Sequence, residues 1–438
     1  MSTALTQALA RRLGALTRYS AAVLQYQRLG HDSGELLAAL PAPKRGEVAG
    51  RAALRKALAG SGAGSRVCVL VNGNFNHSFD IQGTLQELAP CLRRRDRVLL
   101  VAYNPYWAWA HRLAAKLGLR KAAAPGTFFT RTDLRALARL SGFEAVRFQP
   151  AAAWPLQTLG LGPYLNAFLE GLPLLRELSF AMVVVLRPVV VEKKRPSLTI
   201  IVPARDERGN IEGALNRLPD FGAKVELIFV EGASTDGTWE EMQRVAKKRW
   251  KNVTVKLLKQ EGKGKAGAVR TGFAAATGDL LTILDADLTM PPELLLRFYD
   301  AWVEGQADFI NGSRLVYPME GEAMRPLNWL GNIFFMKALS HTLDMDLGDA
   351  LCGTKLFARA DHADMLRWQA DFKVPDPFGD FEMIFPAAVL ALGSVDIPIR
   401  YRARTYGSTK ISRFRDAFLL LRMVWAALGR VRFGGFPR

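Results

Sequence analysis

The stretch LLTILDADLTMPPELL, residues 280–295, decides both the fold class and the chemistry. It begins as an apolar, strand-like run and stops at two carboxylates, Asp285 and Asp287, one alanine apart and followed by a double proline. Two carboxylates held this close at the end of a buried strand repel each other unless a cation or a proton intervenes. Oxygen ligands grouped there suit a hard divalent ion, Mg²⁺ or Mn²⁺, which keeps a few carboxylates and completes its shell with substrate phosphates. The competing reading is a polar turn, because aspartate is a turn former and a lone D-x-D is frequent by chance.

The surrounding sequence repeats the pattern. LTIIVP (198–203), VELIFV (225–230), VTVKLL (253–258) and DLLTIL (279–284) read as buried strands, separated by the helical stretches NIEGALNRL, TWEEMQRVAKKRW and GKAGAVRTGFAAAT. That alternation predicts a doubly wound α/β sheet, whose ligands sit at the C-terminal strand ends. The first three strands lead into PARDERGN (203–210), EGASTDGT (231–238) and EGKGKAGAVRTG (261–272). In the second, Ser234 and Thr235 can cap a helix beside Asp236. In the third, Lys263 and Lys265 bring positive charge to a glycine-rich helix start, a natural anion site. Four polar strand ends in succession favour a nucleotide site over structural loops.

Taken in order, LTIIVPARDERGNIEGAL, EGASTDGT, GKGKAGAVRTGF, LDADLTMPPE, INGSR, LCGTKLF and YRARTYGSTKIS resemble the family 2 glycosyltransferases, in the subgroup of dolichyl- and polyprenyl-phosphate sugar transferases. The resemblance covers roughly residues 197–415. It implies a GT-A catalytic domain and an inverting, metal-dependent transfer from a UDP- or GDP-sugar to a polyprenyl-phosphate or other lipid-linked acceptor. It places Pro203, Arg205, Glu207, Glu231, Asp236, Lys263, Lys265 and Asp285 around the donor, and Asp285, Asp287 and Thr289 around the metal. Arg314, Arg325, Arg404 and Lys410 fall on the acceptor phosphate, and Asp285, Asp287, Arg314 and Asp380 carry catalysis. Two departures stand out. Thr289 replaces a glutamine that relatives often use on the ion, and Gly232 stands where the family commonly has the second of two adjacent aspartates. Asp380 and Glu382, in DPFGDFEMIF, read either as a helix cap or as an acidic pair near the sugar. Asp349, before LCGTKLF, reads as a loop residue or a substrate contact.

At 438 residues the chain is long enough for two domains. The charged, proline-closed VEKKRPS (191–197) is the natural linker between residues 1–190 and a catalytic domain over 198–412, with a basic amphipathic helix and tail over 413–438. RVCVLVN (66–72) and RVLLVAYN (97–104) read as strands of the first half, and TRTDLRALARLSGFEAVRF as a helix stopped at Gly142 before another strand. YQRLGHDSGELLAALP, the stretch from VCVLVN to YNPYW, and TFFTRTDLRALARLSGFEAVR more faintly resemble class I S-adenosylmethionine methyltransferases. In that pattern the glycine loop and the acidic end of the second strand should lie between Pro43 and Arg66. The stretch there is too short for two strands and a helix and lacks D-x-G-x-G. The resemblance therefore implies a smaller, degenerate methyltransferase-like α/β domain kept for packing, partner binding or acceptor placement.

The net charge of +18 predicts an anionic partner, and residues 400–438 alone carry net +9. Three scattered cysteines (Cys68, Cys91, Cys352) and five histidines argue against zinc and for a reducing, cytosolic setting. Residues 178–191 and 417–429 are apolar but short and broken by arginine, so no membrane span is expected. The C-terminal helix reads either as packed on its domain or as lying on an anionic bilayer, which would place the protein peripherally on the inner face of the cell membrane. A saccharide or protein acceptor is the alternative within the family. A non-catalytic binder of anionic polymers is the distant one, and nucleic acid is disfavoured because the basic residues gather beside an apolar helix instead of interleaving with aromatics.

Overall fold

The structure, a computed structural model, describes residues 3–62, 64–118, 124–154, 161–172, 174–318, 326–371, 376, 379–402, 406 and 413–432. The chain divides after Val190 into two compact units.

The first unit is built on a six-stranded sheet. Its strands are β1 (Ala22–Tyr26), β2 (Lys44–Val48), β3 (Val67–Asn72), β4 (Arg97–Tyr103), β5 (Phe143–Ala151) and β6 (Ala181–Pro188), in the order β2-β1-β3-β4-β6-β5. The first four are parallel, and β6 runs antiparallel between β4 and β5. The apolar run considered as a membrane span is the fully buried β6, whose Val183, Val184 and Val185 are all core. The sequence reading placed the first strand and its loop too late. The stretch between Pro43 and Arg66 holds β2 and the helix Arg51–Ala59, whereas the loop after the first strand is residues 27–34. Five-residue β1, wedged between a helix and a polar loop, is too short to signal itself by periodicity.

The second unit has seven strands: β7 (Leu198–Ala204), β8 (Val225–Glu231), β9 (Val253–Lys259), β10 (Leu280–Ile283), β11 (Phe309–Ser313), β12 (Lys355–Ala358) and β13 (Ser394–Pro398). Their order is β13-β11-β12-β10-β7-β8-β9, all parallel except β12, which is antiparallel to both neighbours. Registers Ala204↔Glu231 and Ile283↔Ile201 bring the C-terminal ends of β7, β8 and β10 to one edge. Because β12 runs the other way, its N-terminal end, at Lys355, reaches that same edge. Leu198, Ile200, Leu227, Phe229 and Leu280 form the core beneath it.

Among the described residues, no helix is long and apolar enough to cross a membrane. The helix Arg413–Ala427 packs on its own unit, the first of the two alternatives for it, along one face. Leu420, Met423, Val424 and Ala427 are buried, and the helix packs against the helix Pro326–Leu343. Phe418, Leu421 and Trp425 are exposed.

Candidate active site

Strand β10 ends at Ile283, and the chain turns at once, with Leu288 N donating to Asp285 O at 3.1 Å and Leu288 in the left-handed region at φ 52°. The turn presents both carboxylates at the strand end. Asp285 forms an ion pair with Lys265, from the first turn of the helix Gly264–Ala275. Burial pushes the Asp285 carboxyl up, but Lys265, followed by Lys355 and Arg314, outweighs it and holds the group below the ordinary range. Burial likewise opposes the charge on Lys265, yet Asp285, Asp380 and Asp287 raise it above the usual lysine value. The site is a coupled set of cations around Asp285.

Asp287 is steadied by Thr289, whose backbone N–H and hydroxyl donate to Asp287 Oδ1 at 3.1 and 2.8 Å. Thr289 itself is buried. Thr289, expected on the metal, thus orients Asp287 through its hydroxyl proton, and its oxygen keeps lone pairs that a cation could use. Among the described residues, no three His, Cys, Asp or Glu side chains cluster as a metal cage. Two carboxylates with a hydroxyl beside them are a donor chemistry that suits Mg²⁺ or Mn²⁺ sharing its shell with phosphates.

Gly353, just before β12, explains how closely these groups approach. A Cβ there would lie 2.7 Å from Asp285 Oδ2 and would also overlap Lys265 Nζ. Two residues on, the fully buried Lys355 donates to Asp380 Oδ1 at 2.7 Å and to the Cys352 carbonyl. Asp380 is thus brought to the Asp285 side of the site by a buried ion pair. Its neighbour Glu382 lies 3.4 Å from Arg270, with its carboxyl raised by burial. Asp376, not Asp380, provides the side-chain cap, accepting from Phe381 N at 2.7 Å. The buried Cys352 thiol is pushed up to about 12 by desolvation and is a packing residue.

Of the residues expected around a donor, Pro203 is the penultimate residue of β7 and Glu231 the last of β8. Glu231 Oε1 accepts from Ser234 N at 2.5 Å, and Glu207 Oε2 accepts from Asn210 at 2.7 Å. Gly232, the departure from the paired-aspartate pattern, is tightly set: a Cβ would lie 2.9 Å from Gln260 Oε1 and 3.3 Å from Arg205 Cβ, so the Gln260 side chain would have to shift. Asp236 turns out to organise the loop. It accepts from Thr238 N and Oγ1 (3.0 and 2.5 Å), Arg208 N (3.2 Å) and the Tyr406 hydroxyl (3.2 Å). These bonds offset burial and keep its carboxyl low. Arg205 is largely exposed, 3.8 Å from Asp206. Lys263 is exposed at the cap of its helix.

Arg314, expected on the acceptor phosphate, already grips Asp349 with both prongs, Nε at 2.7 Å and Nη2 at 3.0 Å, and its guanidinium lies 5.5 Å from the Tyr401 ring centre. Asp349 also accepts from Asn332 and Leu351 N. Arg325, Arg404 and Lys410 lie outside the described residues. Lys355 and Tyr406, without a role in the sequence reading, now have one, and Gly353, read there as a loop residue or a substrate contact, sets how closely Asp285 and Lys265 approach. LCGTKLF was the only signal for Lys355 and Gly353.

Residues 199–366, within the second unit, match the family model described as Glycosyl transferase family 2. The chain is similar to dolichol-phosphate mannosyltransferases of Pyrococcus furiosus (34% identical, over 27% of this chain and 33% of that one) and Saccharomyces cerevisiae (36%, over 24% and 40%). It is also similar to a dolichyl-phosphate hexose transferase of Haloferax volcanii (25%, over 47% and 81%). The chain therefore spans only a third to two fifths of the first two relatives. A crystal structure of M. tuberculosis glucosyl-3-phosphoglycerate synthase aligns over 55% of this chain and 81% of that one, with TM-score 0.37 and 17% identity.

Proposed function

We propose that the second unit transfers a sugar from a UDP- or GDP-sugar to a polyprenyl-phosphate acceptor with inversion. The observation that carries this reading is the placement of Asp285 and Asp287 on the β10 turn, at the strand edge of the region that matches the family 2 model, with Lys265, Lys355 and Arg314 acting on Asp285. Asp285 and Asp287 would hold Mg²⁺ or Mn²⁺, which supplies charge neutralisation to a departing diphosphate. An acceptor phosphate oxygen forms its bond to the anomeric carbon as the bond to the diphosphate breaks, the electron pair leaving with the diphosphate. Because that oxygen is ionised near neutral pH, no strong general base is needed. Lys265 is placed to exchange its carboxylate partner for a donor phosphate. Lys355 holds Asp380 for the sugar side, and the Asp349-held Arg314 lends positive charge to the acceptor side. The names of the three relatives support the lipid-phosphate acceptor.

The first unit we read as methyltransferase-like, placing a partner or the acceptor. Its parallel strands followed by an inserted antiparallel β6 support the reading. The protein then works at the inner face of the membrane as a peripheral enzyme.

The test is a screen of UDP- and GDP-sugars for Mg²⁺- or Mn²⁺-dependent thermal stabilisation, followed by transfer assays on short polyprenyl phosphates. A protein that responds to no nucleotide-sugar, or that glycosylates only saccharides, contradicts the proposal.

A further inference from the structure

The first unit carries a helix whose polarity is inverted. In Gly162–Gly171, Tyr164 and Phe168 are 76% and 64% exposed, while Asn166 and Glu170 are only 5% and 6% exposed. The buried polar side chains are accounted for: Asn166 bonds Trp154 N and O at 2.7 and 2.9 Å, and Glu170 pairs with Arg12 at 2.5 Å. Water-facing aromatics on the opposite side therefore have no role in holding this helix down. The helix Ala108–Lys116 repeats the arrangement. Its His111 is buried against Tyr103 and Phe180, with ring centres 4.6 and 4.7 Å away, while Trp109 and Leu113 point outward, one helical turn apart.

The two helices share one surface. The segment Leu175–Leu178 packs on the first helix, and Trp107, just before the second, donates to Leu178 O at 2.7 Å. Leu174 and Leu178, beside and in the segment that joins them, are both exposed. The charge is one-sided. Residues 104–126 contain Arg112, Lys116, Arg120 and Lys121 and no acid, and Arg112 and Lys116 are exposed. Of the acids in residues 161–179, Glu170 is buried and Glu177 is paired with Arg131 at 2.7 Å.

We infer that this face of the first unit docks on an anionic lipid bilayer, with Trp109, Leu113, Tyr164, Phe168, Leu174 and Leu178 entering the acyl boundary and Arg112 and Lys116 meeting headgroups. Exposed apolar patches of this kind mark interaction surfaces, and Trp and Tyr beside cations on short amphipathic helices match the bilayer interface.

Full-length protein is sedimented with vesicles of phosphatidylcholine alone and of phosphatidylcholine mixed with phosphatidylglycerol. The parent binds the anionic vesicles preferentially, and Trp109→Asp/Phe168→Asp lowers its partition roughly tenfold with melting unchanged. Brominated lipid quenches tryptophan emission in the parent and less in Trp109→Phe, a variant with no folding risk. Equal partition of parent and double variant overturns the inference, as does indifference of the parent to anionic vesicles. A dimer in sedimentation velocity that the double substitution dissolves, without vesicle binding, overturns it in favour of a second copy of the chain.

Discussion

Lys265 and Asp285 form an ion pair across two separate strand-to-helix connections, one after β9 and one after β10. The pair gives Asp285 a cation partner within the chain itself, at the place where a metal and a diphosphate would bring their own charges. Replacing Lys265 with Met should raise the donor KM and lower kcat/KM by roughly 10²-fold, a magnitude usual for one electrostatic contact at a phosphoryl leaving group. Steady-state kinetics with the best donor measure it. A change confined to stability would mean the pair is structural.

Gly353→Ala tests how tightly the site is drawn together. The added methyl meets Asp285 Oδ2 at 2.7 Å and also the Lys265 ammonium, so one of them must move. We expect at least a tenfold loss of turnover, since small misplacements at a reacting centre are costly, with a melting temperature close to the parent's. Transfer assays and thermal melts on the same preparation separate the two effects.

Asp349 is fully buried and Arg314 nearly so. Asp349→Asn leaves the guanidinium without its charged partner and should destabilise the second unit by about 3–5 kcal/mol, read from urea unfolding. Burial raises the Asp349 carboxyl and Arg314 more than reverses that, leaving it lowered. The pair's contribution is therefore complete above the unfolded carboxylate pKa of about 4 and is lost as pH falls through the lowered folded value.

His362 gives a second acid slope with a different window. Packed 4.8 Å from Phe273 and 6.0 Å from Phe357 by ring centres, it is lowered by desolvation to about 4. Below about pH 6.5 the unfolded chain takes up a proton that the folded state refuses until about pH 4. Stability should thus fall by up to about 3 kcal/mol across that interval. His362→Phe should flatten the slope between those pH values and leave the steeper loss below pH 4. Melting temperature against pH for both proteins checks it.

The parallel strands of the second unit were legible because β7, β8 and β10 are β-branched or leucine-rich runs ending in polar loops, a local signal. The Asp285–Asp287 turn was legible for the same reason. Lys355 and Gly353 were not, because they reach the site through β12, whose antiparallel insertion between β10 and β11 is a long-range pairing that no local pattern announces. The loop-holding part of Asp236 was not legible either: its residue type suits a ligand, and only the bonds from Arg208, Thr238 and Tyr406 show it also serving the loop. In the first unit, the apolar run at 178–191 was legible as too short to span a membrane, but hydropathy alone did not identify it as the buried strand β6.

The most direct test of the central claim is donor binding by calorimetry, with and without Mn²⁺, in the parent and in Asp285→Asn/Asp287→Asn. The account predicts metal-dependent binding in the parent, loss of that dependence in the double variant, and a fall in transfer of roughly 10²-fold or more without unfolding. A double variant that binds donor with the same metal dependence and turns over at the parental rate would contradict it.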